Sequence, residues 1–123
     1  TLVTYGASLW RCVTAAEELA ASGIEAEIVD LRSLRPLDDA TILGSVRRTR
    51  RVVIVDEGWR TGSLSAEVAM RIVEQGFYDL DAPIGRVCTE EVPIPYPKHL
   101  EEAALPDPAR IVAAVRRTMG DAQ

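Results

Sequence analysis

The chain has 123 residues, of which 47% are hydrophobic and 27% charged, the balance of one soluble globular domain large enough to bury a core. Its 14 basic residues face 19 acidic ones for a net charge of -5, which argues against a nucleic-acid partner because phosphate backbones select a basic face. No apolar run reaches the ~18 residues of a membrane helix and no basic-then-apolar leader opens the chain, so the expectation is a cytoplasmic protein with no membrane partner.

Residues 2–5 read as a strand with no initiator Met ahead of them, which suggests a single domain, residues 1–123, cut from a longer polypeptide. Residues 8–21 follow as a helix, with Trp10, Val13, Leu19 and Ala20 at roughly helical spacing and Gly23 suited to a left-handed cap. Residues 26–31 form the second strand. Pro36-Leu37-Asp38 introduces the next helix, with Asp38 as N-cap, Ile42, Leu43 and Val46 on one face, and Arg47 and Arg48 where cations suit the dipole.

Residues 51–56 (RVVIVD) have the unbroken apolar centre of a strand buried on both faces. A glycine-containing loop over 57–62 comes next, then a helix capped by Ser63, carrying Leu64, Val68 and Ile72 four apart and stopping at Gly76. Residues 84–89 are the fourth strand. Residues 90–106 hold prolines at 93, 95, 97 and 106, so they are expected to run extended over the surface with a helical turn around 99–104. Asp107-Pro108 starts the last helix, lined by Ile111, Val112, Val115 and Met119 and closed by Gly120. Strand and helix in alternation predict an α/β layered fold with a mainly parallel sheet and helices on both faces.

Familiar catalytic signatures are missing: no Walker loop, no GxGxxG after a strand, no GxSxG and no HExxH. Gly58 to Gly62 reads better as a structural turn than as a phosphate cradle, since Trp59 would crowd a phosphate. His99 is the single histidine, which rules out a histidine pair or triad within the chain. Cys12 and Cys88 have neither CxxC spacing nor a nearby histidine and read as buried thiols; Asp30 and Asp56 read as polar strand ends. Between positions 77 and 107 seven acidic residues face two basic ones. A solvated surface and a docking face for a basic partner both fit that imbalance.

Several strings match one family in order along almost the whole chain: Val3-Thr4-Tyr5-Gly6, DLRSLRPLD at 30–38, Asp56-Glu57-Gly58-Trp59, Leu80-Asp81-Ala82-Pro83 and Val92-Pro93-Ile94-Pro95-Tyr96. In these the sequence resembles the transketolase C-terminal domain as found in beta subunits of pyruvate and branched-chain 2-oxo acid dehydrogenases. The resemblance implies a three-layer α/β/α domain of flavodoxin-like handedness, with four parallel strands in the order second, first, third, fourth. An additional antiparallel strand would precede Thr1. It also implies that thiamine diphosphate and Mg²⁺ sit elsewhere in the full enzyme, between the alpha subunit and the beta subunit's N-terminal domain. No catalytic, cofactor-binding or metal-binding residue is therefore expected here, and the crevice at the strand ends is expected to be empty.

What the resemblance assigns to such a domain is assembly: pairing with a second beta subunit, contact with the alpha subunit, and reception of the acyltransferase's subunit-binding domain. Asp81 of the LDAP string matches the family position that pairs with basic acyltransferase residues, with Asp79 beside it. Trp59 and Tyr96 are the expected subunit-interface residues. The chain runs on as Met119-Gly120-Asp121-Ala122-Gln123, which would displace a terminal-carboxylate contact made by relatives. The alternative is a stand-alone flavodoxin-like signalling or ligand-binding module, which a native gene of ~130 codons rather than ~320 or more would favour.

Overall fold

A computed structural model describes residues 1–120. Residues 121–123, on which the displaced terminal contact rests, lie outside the described residues. Four strands, β1 (Leu2–Thr4), β2 (Ile28–Asp30), β3 (Val53–Trp59) and β4 (Gly85–Thr89), make one parallel sheet in the order β2-β1-β3-β4, as expected. Between and after them run α1 (Ser8–Ala21), α2 (Asp39–Thr49), α3 (Leu64–Gly76), a 3-10 turn (Phe77–Asp79), α4 (Lys98–Ala104) and α5 (Pro108–Met119).

Side chains alternate across each strand, and that alternation splits the core into two halves. On one face Leu2, Val53, Val55 and Val87 pack with Cys12, Ala15 and Leu19 of α1 and Ile111, Val112 and Val115 of α5. On the other, Val3, Val29 and Ile54 pack with Ile42 and Val46 of α2 and Val68 and Ile72 of α3. Each fully buried aliphatic side chain contributes ~1.5–3 kcal/mol relative to exposure, so these two layers supply most of the drive to fold.

The structure departs from expectation in three places. First, α1 buries Ser8, Cys12, Ala15 and Leu19, while Trp10 is 72% exposed. At 3.6 residues per turn Trp10 lies about 200° from Cys12, so it cannot share that stripe. Met119, expected on the buried face of α5, is likewise exposed, and Thr118 is buried instead.

Second, β3 does not end at Asp56. It continues through Glu57, Gly58 and Trp59, with a register shift that pairs Asp56 with Cys88 and then Trp59 with Thr89. Gly58 permits the irregularity, because a Cβ there would meet Asp56 Oδ1 at 3.0 Å and Ser63 Cβ at 3.2 Å. Third, Ser63 occupies the N-cap position of α3 but makes no capping bond; Asp56 Oδ2 accepts from the Ser65 amide instead, at 2.9 Å.

Other ends behave as the residues demand. Asp38 accepts from the Thr41 amide at 3.0 Å and Asp107 from the Arg110 amide at 2.8 Å, each satisfying a donor that a helix N-terminus leaves open. Gly120 closes α5 with φ 87°.

Candidate functional site

Parallel strands bring their following loops to one edge of the sheet, and the chain reverses direction of winding between β1 and β3. The loops after these strands meet there and close on each other. Tyr5 Oη donates to Asp56 Oδ1 at 2.7 Å, and Ser8 Oγ donates to Glu57 Oε1 at 3.1 Å. Asp56 is not the simple polar strand end expected, because it has no exposed surface at all. Besides Tyr5 it accepts from the amides of Gly58 at 2.7 Å and Ser65 at 2.9 Å.

The electrostatics follow from those bonds. Burial alone would raise the Asp56 carboxyl, but the donors from Tyr5, Gly58, Ser65 and Ser63 outweigh it and hold the group below the usual carboxylate range. Tyr5 is pushed well above its ordinary value by burial, by its bond to Asp56 and by the neighbouring Glu57 charge. A carboxylate with its acceptors filled and a phenol held protonated make a girder between β1, β3 and α3, not an acid–base pair. Burial raises the Cys12 thiol to about 11, which leaves it inert. Among the described residues no group of three His, Cys, Asp or Glu is placed to hold a metal ion, and no helix is long and apolar enough to cross a membrane. The strand-end carboxylates Asp56 and Glu57 are engaged by Tyr5, Gly58, Ser65 and Ser8.

The proline-rich stretch after β4 is pinned at both ends. Glu91 Oε1 accepts from the Thr61 amide at 2.9 Å and from its hydroxyl at 2.7 Å; Arg110 of α5 donates to the Cys88 carbonyl at 2.8 Å and pairs with Glu90 at 3.1 Å. Arg11 holds the Pro106 carbonyl. Between these pins Ile94, Leu100 and Tyr96 face outward, Tyr96 completely so. Trp59, at the same edge, is half-exposed.

Asp79 and Asp81, the expected docking pair, lie just after α3. Asp79 ends the 3-10 turn, and Leu80 packs against the core between the two acids. Both are already paired: Asp79 with Arg47 at 3.2 Å, and Asp81 with Arg50 at 2.9 Å and Arg51 at 3.7 Å. The bond from Arg50 holds the Asp81 carboxyl below its ordinary value. Glu90 also pairs with Arg110, and Glu91 and Asp107 accept from uncharged donors, so most of the acids between positions 77 and 107 are already engaged within the chain. Linear charge counting missed this because the partners come from α2 and the residues just after it, from the loop after β3 and from α5.

A separate apolar groove lies between α3 and the segment leading into β4. Its lining includes Ala66, Ala69, Met70, Phe77, Tyr78 and Ala82, and its volume is about 810 Å³. Its signal in the sequence is the pair of consecutive aromatics directly after Gly76, which the helical periodicity of α3 does not place on the core face.

Comparison with known proteins agrees with this architecture. Residues 1–111 match the family "Transketolase, C-terminal domain". The chain is 45% identical over 116 residues to the pyruvate dehydrogenase E1 component subunit beta of Rhizobium meliloti, covering 94% of this chain and 25% of the relative. It is 46% identical over 121 residues to the mitochondrial counterpart of Drosophila melanogaster, covering 98% of this chain and 33% of the relative. A solved structure, a split-gene transketolase described as an inactive beta4 tetramer, superposes with a TM-score of 0.82 at 29% identity, over 99% of this chain and 38% of that one. The chain thus spans a quarter to a third of the length of these curated relatives. A family match along 111 residues and a superposition at TM-score 0.82 lead to one conclusion: the chain belongs to the transketolase C-terminal domain family, alongside the C-terminal part of pyruvate dehydrogenase E1 beta subunits.

Proposed function

We propose that this domain assembles and docks the decarboxylase component of a 2-oxo acid dehydrogenase complex, with pyruvate as the 2-oxo acid, and that thiamine diphosphate and Mg²⁺ act elsewhere in the full enzyme. The observation that carries the reading is that nearly the whole chain matches a quarter to a third of pyruvate dehydrogenase E1 beta subunits, whose names supply the reaction. The closed strand-end edge supports it, since the crevice where ligands of such sheets usually sit is spanned by Tyr5–Asp56 and Ser8–Glu57.

In this reading the domain contacts an alpha subunit and a second beta subunit, with Trp59 and Tyr96 at the subunit interfaces. Large aromatics left half or wholly exposed at one edge are what such contacts use. The tetramer formed by the split-gene transketolase favours self-association as well. Asp81 is the anchor for the basic subunit-binding domain of the acyltransferase, and Asp79 assists it. An incoming arginine joins or displaces Arg50 at Asp81, so recognition is an exchange of ion-pair partners, a contact that sets encounter rate and register.

Calorimetric titration of residues 1–123 with thiamine diphosphate and Mg²⁺ tests the division of labour. The expected result is no micromolar binding. Micromolar binding would return the cofactor to this domain and overturn the reading.

A further inference from the structure

We propose that Arg60 and Arg110 close the β4 edge of the sheet to strand addition, with Arg86 bracing the closure, and so protect the domain from β-aggregation. The inference is independent of the assembly role proposed above. Among the described residues β4 has β3 on one side and no strand on the other. An edge strand leaves alternate backbone groups facing outward, a template on which another extended chain can add. The Gly85 amide donates to the Val52 carbonyl at 2.9 Å, so Gly85, Val87 and Thr89 face β3, and Arg86 and Cys88 face outward.

Both of those outward carbonyls are occupied. Arg60 Nη1 donates to the Arg86 carbonyl at 3.1 Å, and Arg110 Nη2 donates to the Cys88 carbonyl at 2.8 Å. The two guanidiniums come from different places, the end of β3 and the start of α5, so the fold itself sets the closure at two points. Arg86 Nη1 returns a bond to the Arg60 carbonyl at 3.0 Å, which lays two side chains along the edge as a reciprocal pair. Arg110 is fixed further by its pairing with Glu90 at 3.1 Å.

Charge adds to the blockade. Arg60 and Arg86 make no ion pair among the described residues, so two such edges brought together would set guanidinium against guanidinium. An incoming strand must also displace both donors before its own amides reach these carbonyls. That exchange replaces one bond by another at each site and yields little. The edge is worth closing because β4 covers Val53-Ile54-Val55 of β3, an uncharged β-branched run of the kind that stacks readily once exposed.

Agitated incubation of the full-length polypeptide that carries this domain, followed by growth of dye-binding intermolecular β-structure, provides the test. Arg60→Ala with Arg110→Ala is expected to shorten the half-time of growth roughly tenfold, and Arg60→Ala alone by less. Arg60→Lys, which keeps a donor and the charge, is expected to retain most of the protection. Asp107→Ala is the control, because it weakens the start of α5 without uncovering a β4 carbonyl, and its half-time is expected to stay near that of the wild type. Arg110 also donates to the Leu105 carbonyl, so the double variant could fail to fold; Arg60→Ala with Arg86→Ala then carries the test, with the same direction expected. Half-times unchanged in the variants that fold overturn the proposal. A shortening that Asp107→Ala matches also overturns it, and assigns the effect to lost stability.

Discussion

A carboxylate with no exposed surface persists only when donors surround it, and Asp56 has three that are fixed by the fold. Replacing it by Asn turns one acceptor into a donor facing other donors. Asp56→Asn is expected to cost ~2–3 kcal/mol, the range for a lost bond to a charged group plus a stranded buried donor. The pH dependence has a definite sign. Because the folded carboxyl lies below its ordinary value of 3.8, its contribution is complete above that pH and is lost as the pH falls through the folded value. Urea midpoints of wild type and Asp56→Asn should therefore converge below pH 3.8, and a gap that stays constant through that region contradicts the assignment. In the sequence Asp56 was legible as the last residue of an apolar run. Its burial was not, because the key donor, Tyr5, lies 51 positions away.

At the scale of elements, local chemistry is legible where one side chain decides the outcome. Asp38 and Asp107 cap α2 and α5 as expected, and Gly120 ends α5. What local reading missed is tertiary. The cap of α3 comes from a strand, and β3 runs past its aspartate because Thr89 remains available for pairing. Two substitutions separate these cases. Asp107→Ala should lower stability by ~1 kcal/mol, as lost N-caps do, seen as a shifted urea midpoint at constant slope. Ser63→Ala should cost clearly less, because no backbone amide of α3 rests on its hydroxyl. Equal costs would mean that the Asp56 cap is not what holds the start of α3.

For the whole molecule, strand order and layering followed from the alternation of elements, and the family strings named the architecture that the superposition then matched. The surface was less legible. Whether an acid is free or paired depends on neighbours across the fold, as Arg47 and Arg50 show for Asp79 and Asp81. Those pairs alter the picture of docking without removing it. Arg50 and Arg51 hold the Asp81 carboxylate ionised and positioned at the surface. Ion pairs made here are solvent-accessible and shorten in range as salt rises, so acyltransferase binding should weaken with ionic strength.

The most direct test of the account is Asp81→Ala in the full beta subunit, assembled with its alpha partner. Two quantities are read side by side: affinity for the acyltransferase's subunit-binding domain, and decarboxylation of pyruvate by the uncomplexed enzyme with an artificial electron acceptor. The account predicts at least a tenfold loss of affinity with decarboxylation nearly unaffected. Equal loss of both would mean that the Asp81–Arg50 pair supports the fold rather than the docking, and no change in either would make Asp81 an ordinary surface ion pair.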